Sequence, residues 1–411
     1  MLRTTLLIFV FCISAPLFAQ LSPEITSWII NSTGETGYDG IETNVQQVQY
    51  SDDNVYVSCT CIPGYDIGPW VANPNIPVNQ NFVYKITRFP VENTGILTET
   101  PMGHTGVWSN GVSIFNAKDG MSYENEGIWN QNAVVVEGIS FDECLGHPAP
   151  NGEYHHHLNP TCLYDDTNNA DHAPIIGYAF DGFPVYGAYG YANTDGSGGI
   201  SRMETSYQLR AITERTSLPD GTVLPAAQFG PAVSATYPLG YYLEDYEFIE
   251  GLGDLDAHNG RFCITPEYPE GIYAYFVTLD ESGDAVYPYT MGPEYYGTVQ
   301  PGNTGPMSGH NTISETVETY LSIGEPGEKN IKMLLFPNPA TEFIYVYIEP
   351  SDNNNLSAKL MDLSGKTLIM KENLQPGITY TFDLNGLNAG IYFIQIANEK
   401  IKGNQKIIVT K

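Results

Sequence analysis

Between residues 101 and 300 no segment sustains a long 3.6-residue apolar period, which leaves little room for long amphipathic helices. The segment holds short apolar and aromatic runs separated by Gly, Pro, Asn and Asp. Across 411 residues there are 41 Gly, 28 Pro and 29 Tyr. Gly and Pro set turn conformations, and Tyr suits a pleated, half-buried surface. The chain is therefore expected to be mostly β, with helix as a minor part.

The runs Ile25–Asn31, Asn54–Cys61, Phe82–Ile86, Gly111–Phe115, Ala133–Glu137, Ile176–Phe180, Val185–Tyr189 and Ile272–Leu279 are expected strands. Gly230–Leu239 and Ser314–Leu321 are the expected helices. Residues 20–100 are assigned to the N-terminal part of the main domain and 101–300 to its centre. Residues 301–332 carry Gly302-Asn303-Thr304-Gly305-Pro306 and Gly324-Glu325-Pro326-Gly327-Glu328 and are expected to be a linker. Residues 333–411 hold seven short alternating runs, the pattern of a small immunoglobulin-like β-sandwich.

Charge supports the last boundary. Residues 20–328 carry 40 acidic and 7 basic residues, whereas 329–411 carry 7 and 9. A formal charge of −30 argues against nucleic acid, because phosphate binding needs clustered Lys and Arg. Residues 1–19 place Arg3 before the apolar run Leu6–Ala15, and a small residue, Ala19, ends the stretch. This is expected to be a signal peptide for export, too short to span a bilayer. No other run approaches spanning length. Five cysteines follow: Cys59, Cys61, Cys144, Cys162 and Cys263. In an oxidising compartment they should pair where geometry allows, with one left over. Cys144 and Cys162 flank a histidine cluster and are one expected pair. Cys263 with Cys59 or Cys61 is another, with a short, strained Cys59–Cys61 bridge as the alternative.

The C-terminal segment contains Phe336-Pro337-Asn338-Pro339-Ala340, Asp362-Leu363-Ser364-Gly365-Lys366, Leu387-Asn388-Ala389-Gly390-Ile391-Tyr392-Phe393 and Lys406-Ile407-Ile408-Val409. In order and spacing it resembles the C-terminal sorting domain of type IX secretion substrates in Bacteroidota. The resemblance implies engagement of the type IX secretion machinery, passage across the outer membrane, and release or attachment at the cell surface. Sorting domains ride on many kinds of cargo, so no chemistry follows from it.

Four of the eight histidines, His147, His155, His156 and His157, fall within eleven residues. On a strand, His155 and His157 share one face, while Tyr154 and His156 share the other. Two imidazoles on one face can chelate one ion, and His147 can return across the Pro-Gly-containing turn as a third ligand. Neutral imidazole suits copper, zinc, iron or nickel. Copper is the first expectation for an exported protein and zinc the second. His258 and Asp181 are the more distant candidate ligands. Asp142, Glu153 and His156 are candidate partners behind the ligands. The plain alternative is a set of histidines that hydrogen-bond and stack within a polar core.

The same region resembles the YHYH domain, a secreted domain named for Tyr-His-Tyr-His. Here the tetrad is Tyr154-His155-His156-His157, so the third position departs from the pattern while the same-face pair is kept. The likeness includes Gly146-His147-Pro148, Gly177-Tyr178-Ala179-Phe180-Asp181-Gly182-Phe183-Pro184, Leu255-Asp256-Ala257-His258-Asn259-Gly260-Arg261 and Tyr295-Tyr296-Gly297, over about residues 100–300.

Asp181 also fits a turn before Gly182, and Asn259-Gly260 is a hairpin signal. Arg261 is read as an anchor for an anion or as the partner of Asp181 or Asp256. The oxygen-rich loops Asp165–Asp171 and Asn193–Ser197 are calcium candidates without EF-hand spacing. Tyr241, Tyr242 and Tyr246 are a candidate sugar platform or part of an aromatic core. There is no Gly-rich phosphate loop, nucleophile elbow or HExxH helix. Three function classes remain: a metal-binding protein, a metal-dependent enzyme of redox or hydrolytic type, and an adhesion protein with structural histidines. The residues name no substrate.

Overall fold

A computed structural model describes residues 21–305, 308–320, 333–348, 355–361, 366–398 and 402–410. The expected signal peptide, residues 321–332 of the expected linker and the Asp362–Gly365 turn lie outside the described residues. The chain is mostly β, as its turn density and lack of helical period required.

The main body is built on two sheets. A four-stranded sheet runs in the order Glu318–Tyr320, Val45–Tyr50, Asn54–Cys59, Phe82–Thr87, all antiparallel. An eight-stranded mixed sheet runs in the order Gly260–Cys263, Ile272–Phe276, Pro184–Tyr186, Ile175–Ala179, His104–Trp108, Ser113–Phe115, Tyr154–His156, His147–Pro148. Its central strands are buried throughout. The reason is visible in their alternation. Val107, Ile175, Tyr178, Tyr186 and Phe276 pack in one core with Val48, Val57, Tyr84 and Ile86 of the smaller sheet. Their neighbours Trp108, Ile176, Ala179, Val185 and Tyr275 pack in a second core on the opposite face. A sheet buried on both faces needs near-continuous apolar runs rather than alternation with polar residues. Each fully buried large apolar side chain adds about 1.5–3 kcal/mol.

Several expectations change. Ile25–Asn31 is not a strand: Pro23 starts a short helix, Pro23–Thr26, which takes up its first two residues. Ala133–Glu137 is also helical, over Ala133–Val136. Its three valines favour a strand, but the Asn132 side chain accepts the Val134 N–H and caps a turn instead. Gly230–Leu239 forms no helix. Of Ser314–Leu321, the Glu318–Tyr320 part is the edge strand of the four-stranded sheet. The main body therefore continues past residue 300. Asn303 is buried, accepts the Lys85 N–H and donates to the Lys85 carbonyl.

The C-terminal part has a three-stranded sheet, Met333–Phe336, Phe343–Ile348, Thr379–Asp383, and a four-stranded sheet, Thr367–Leu374, Leu356–Met361, Gly390–Ala397, Lys402–Val409. Both contribute to one apolar core that includes Ile344, Val346, Leu360, Phe382 and Ile394.

Candidate metal centre

The edge of the eight-stranded sheet brings three histidines together. In the antiparallel pair of its last two strands, His147 stands directly opposite His155, so their side chains leave the same face. His157 follows two residues after His155 and shares that face. The turn between the strands is fixed by Ala149 N–H donating to the Glu153 carbonyl and Gly152 N–H donating to the Ala149 carbonyl. Gly152 has φ +79°, and a Cβ there would meet Val78 and Ile76. A Cβ on Gly146 would overlap the Tyr154 ring. Cys144 and Cys162 are disulfide-bonded and close the loop that carries all three histidines.

His147 Nε2 is 3.0 Å from His155 Nε2, which is 3.1 Å from His157 Nε2. All three atoms lie within 4.8 Å of one another, and all three residues are buried. Hydrogen bonds fix the tautomers. His155 Nδ1–H donates to the Glu153 carbonyl at 3.0 Å, and His157 Nδ1–H to the Asn116 carbonyl at 2.6 Å. Ser140 Oγ–H donates to the Glu137 carbonyl, which leaves its oxygen to accept His147 Nδ1–H at 2.7 Å. Each Nε2 therefore presents a lone pair, and three lone pairs converge. Phe115 stacks on His155 at 3.8 Å, and Phe141 packs edge-on against His147 at 4.8 Å.

Protonation relieves this convergence poorly. Burial, then the nearby His157, pushes His147 down to about 4. Burial, then His147 and His157, pushes His155 well below the ordinary histidine range. Nitrogens held 2.0–2.1 Å from a tetrahedral ion would lie roughly 3.3 Å apart, close to the His147–His155 and His155–His157 spacings. The donor chemistry fits a borderline divalent ion.

Glu137 is the residue that sequence reasoning missed. Its Oε2 lies 3.2 Å from His157 Nε2 and 3.6 Å from His147 Nε2. Burial pushes its carboxyl up, but its contacts with His157 and His147 hold it below its ordinary value. Asp119 also contacts it, and burial and that contact raise the Asp119 carboxyl. The missing signal was the Asn132 cap. With residues 133–136 helical, Glu137 falls at the end of the turn, beside the histidines. The site opens to a cleft of about 570 Å³ whose walls include Met102, Phe115, Lys118, Ile139 and Pro150.

The other candidates lie elsewhere. His258 Nδ1–H donates to the Glu294 carbonyl, and the ring packs against Tyr296. Asp181 is fully buried and accepts from Tyr275 OH at 2.6 Å, Gly297 N–H at 2.8 Å and Phe183 N–H at 3.2 Å. Neither joins the converging group. Asp142 accepts from Gly68 N–H, Trp70 Nε1–H and Tyr154 OH, and so holds the turn rather than an imidazole. Glu153 supports His155 through its carbonyl, while its carboxylate bonds His104 and Ser113. His156 faces the opposite side, fully buried with its ring edge-on to Trp108 and Tyr154. Arg261 donates to the carbonyls of Tyr191 and Ala192, not to Asp181 or Asp256. Cys59, Cys61 and Cys263 are free and buried, so the expected second disulfide is absent among the described residues. Cys263 lies on the far edge strand of the eight-stranded sheet, whereas Cys59 ends a strand of the other sheet. Asp165 and Asp195 accept hydrogen bonds from Thr167 and Ser197 in their own exposed loops. Tyr242 is fully buried beneath Arg215, so it belongs to an aromatic core.

Residues 83–286 match the YHYH protein family. The central domain is a YHYH domain. Its His155 and His157 are the two histidines of the tetrad that share the site's face. Residues 334–410 match the secretion system C-terminal sorting domain. The YHYH protein is thus exported through type IX sorting, to be secreted or attached at the cell surface. Among the described residues no helix is long and apolar enough to cross a membrane. No curated protein matches the chain.

Proposed function

We propose that this YHYH protein is an exported metalloprotein holding one transition-metal ion through Nε2 of His147, His155 and His157. One observation carries the reading: three Nε2 lone pairs converge within 4.8 Å while every Nδ1 is committed to an oxygen. A proton between two of these nitrogens leaves the third facing a lone pair, whereas one divalent ion satisfies all three. Copper is the first assignment, because Cu(II) outcompetes Zn(II) at a given nitrogen site, and zinc is the second.

The cleft beside the triad favours a second, narrower reading as a metal-dependent enzyme. A filled structural site is closed, whereas a catalytic one keeps a position for water or substrate.

Elemental analysis tests the first reading. The exported protein is purified without a histidine tag, beside a His155→Ala/His157→Ala variant. Near-stoichiometric copper or zinc in the parent, lost in the variant, is the expected result. No metal in the folded parent, even after incubation with copper and zinc, overturns it and leaves the histidines as structural groups of an adhesion protein.

A further inference from the structure

We infer that Glu137 is the fourth protein ligand of this site, through Oε2. The inference rests on the metal reading above and adds an anionic oxygen to it. Glu137 Oε2 approaches two of the three imidazole nitrogens, at 3.2 and 3.6 Å, which are separations expected between neighbours on one coordination sphere. Like them, it is an acceptor with no donor between: the Nδ1–H groups of His147 and His157 point away, to Ser140 and Asn116. Four acceptor atoms therefore meet at one place.

The backbone holds the carboxylate there independently of its charge. Glu137 N–H donates to the Ala133 carbonyl at 2.8 Å, and the Glu137 carbonyl accepts from Ser140 Oγ. That same Ser140 oxygen accepts from His147. One residue thus supports His147 through its carbonyl and meets the ion through its side chain. The consequence is chemical. Three neutral imidazoles and one carboxylate form a set of net charge −1, which favours a divalent ion over Cu(I), a soft ion that prefers thiolate and thioether ligands. The open cleft then supplies exchangeable positions beyond these four atoms.

The test compares the full exported protein with Glu137→Ala, Glu137→Gln and Asp119→Asn. The Cu(II) dissociation constant is read by chelator competition, and the ligand field by electron paramagnetic resonance. Ligation predicts binding at least tenfold weaker in both Glu137 variants, since loss of a mere partner of a ligand already costs 10–100-fold. It also predicts a changed copper spectrum. Asp119→Asn removes a neighbouring carboxyl but still donates to Glu137, so its affinity stays within about threefold and its spectrum is unchanged. An unaltered spectrum and affinity in Glu137→Ala, with the parent binding copper, overturns the ligand assignment and leaves the three-histidine site intact. Equal weakening in Glu137→Ala and Asp119→Asn without a spectral change also overturns it, because a general field would then suffice. A parent that binds no metal removes the metal reading itself, and this inference with it.

Discussion

His147 and His155 face each other across the last strand pair of the sheet, Nε2 to Nε2 at 3.0 Å, with neither nitrogen carrying the proton. Without an ion this contact is repulsive, and on the proposed reading a bound ion converts it to attraction. Metal at about a thousandfold its dissociation constant should raise unfolding free energy by about 4 kcal/mol. The His147→Ala and His155→Ala variants should show no such rise. His156→Ala should be less stable in every condition yet keep the rise, because His156 points to the opposite face. Denaturant unfolding with and without copper checks all three.

The convergence of the histidines was legible because a strand repeats every two residues, and a short turn was enough to return His147. What hid Glu137 was local. Ala133-Val134-Val135-Val136 has strand composition, and the decision was made by one hydrogen bond, from Val134 N–H to the Asn132 side chain. Asp181 misled in the other direction. Its setting beside Gly182 fits both a ligand and a turn, and Tyr275, distant in sequence, decides it by donating to Oδ2. The β class was legible from turn density, but the doubly buried eight-stranded sheet was not. Long segments such as 116–146 and 187–259 interrupt its strand order, and pairings such as Ser113 with His155 depend on contacts far apart in the chain.

Ser140 links His147 Nδ1 to the Glu137 carbonyl through one hydroxyl. Ser140→Ala frees the ring to rotate and to adopt the other tautomer. Metal affinity should fall 10–100-fold, while stability of the metal-free protein falls by about 1 kcal/mol. Isothermal titration together with denaturant unfolding separates the two effects. Equal affinity in variant and parent would show that the sheet alone orients the ring.

Cys144 and Cys162 are 18 residues apart and enclose His147, His155 and His157. Closing a loop of this length restricts the unfolded chain by about 3 kcal/mol. The Cys144→Ser/Cys162→Ser variant should lose about that much stability and bind metal more weakly, because the hairpin that sets the His147–His155 register loses a tether. Parent protein treated with reductant should behave like the variant, and the three buried free cysteines should not react without denaturant.

Glu244 lies on a separate cleft of about 640 Å³, with Tyr207, Tyr246 and Phe248 in its walls. Burial raises its carboxyl to about 7, although Asn130 donates to both oxygens at 2.7 Å and opposes the rise. The folded protein therefore holds this proton more tightly than the unfolded chain, where the ordinary value is about 4.3. Its contribution to stability is fully present below that value and is lost as pH rises through about 7. Asp181, raised to about 6 by burial, acts in the same sense at lower pH. Glu244→Gln removes the first contribution and leaves the second. The stability difference between pH 5 and pH 8 should therefore shrink by roughly 1–3 kcal/mol in the variant. Urea unfolding of both proteins at the two pH values measures it. An identical difference in parent and variant would mean that Glu244 titrates as an ordinary exposed carboxyl and that the cleft is wetter than its packing implies.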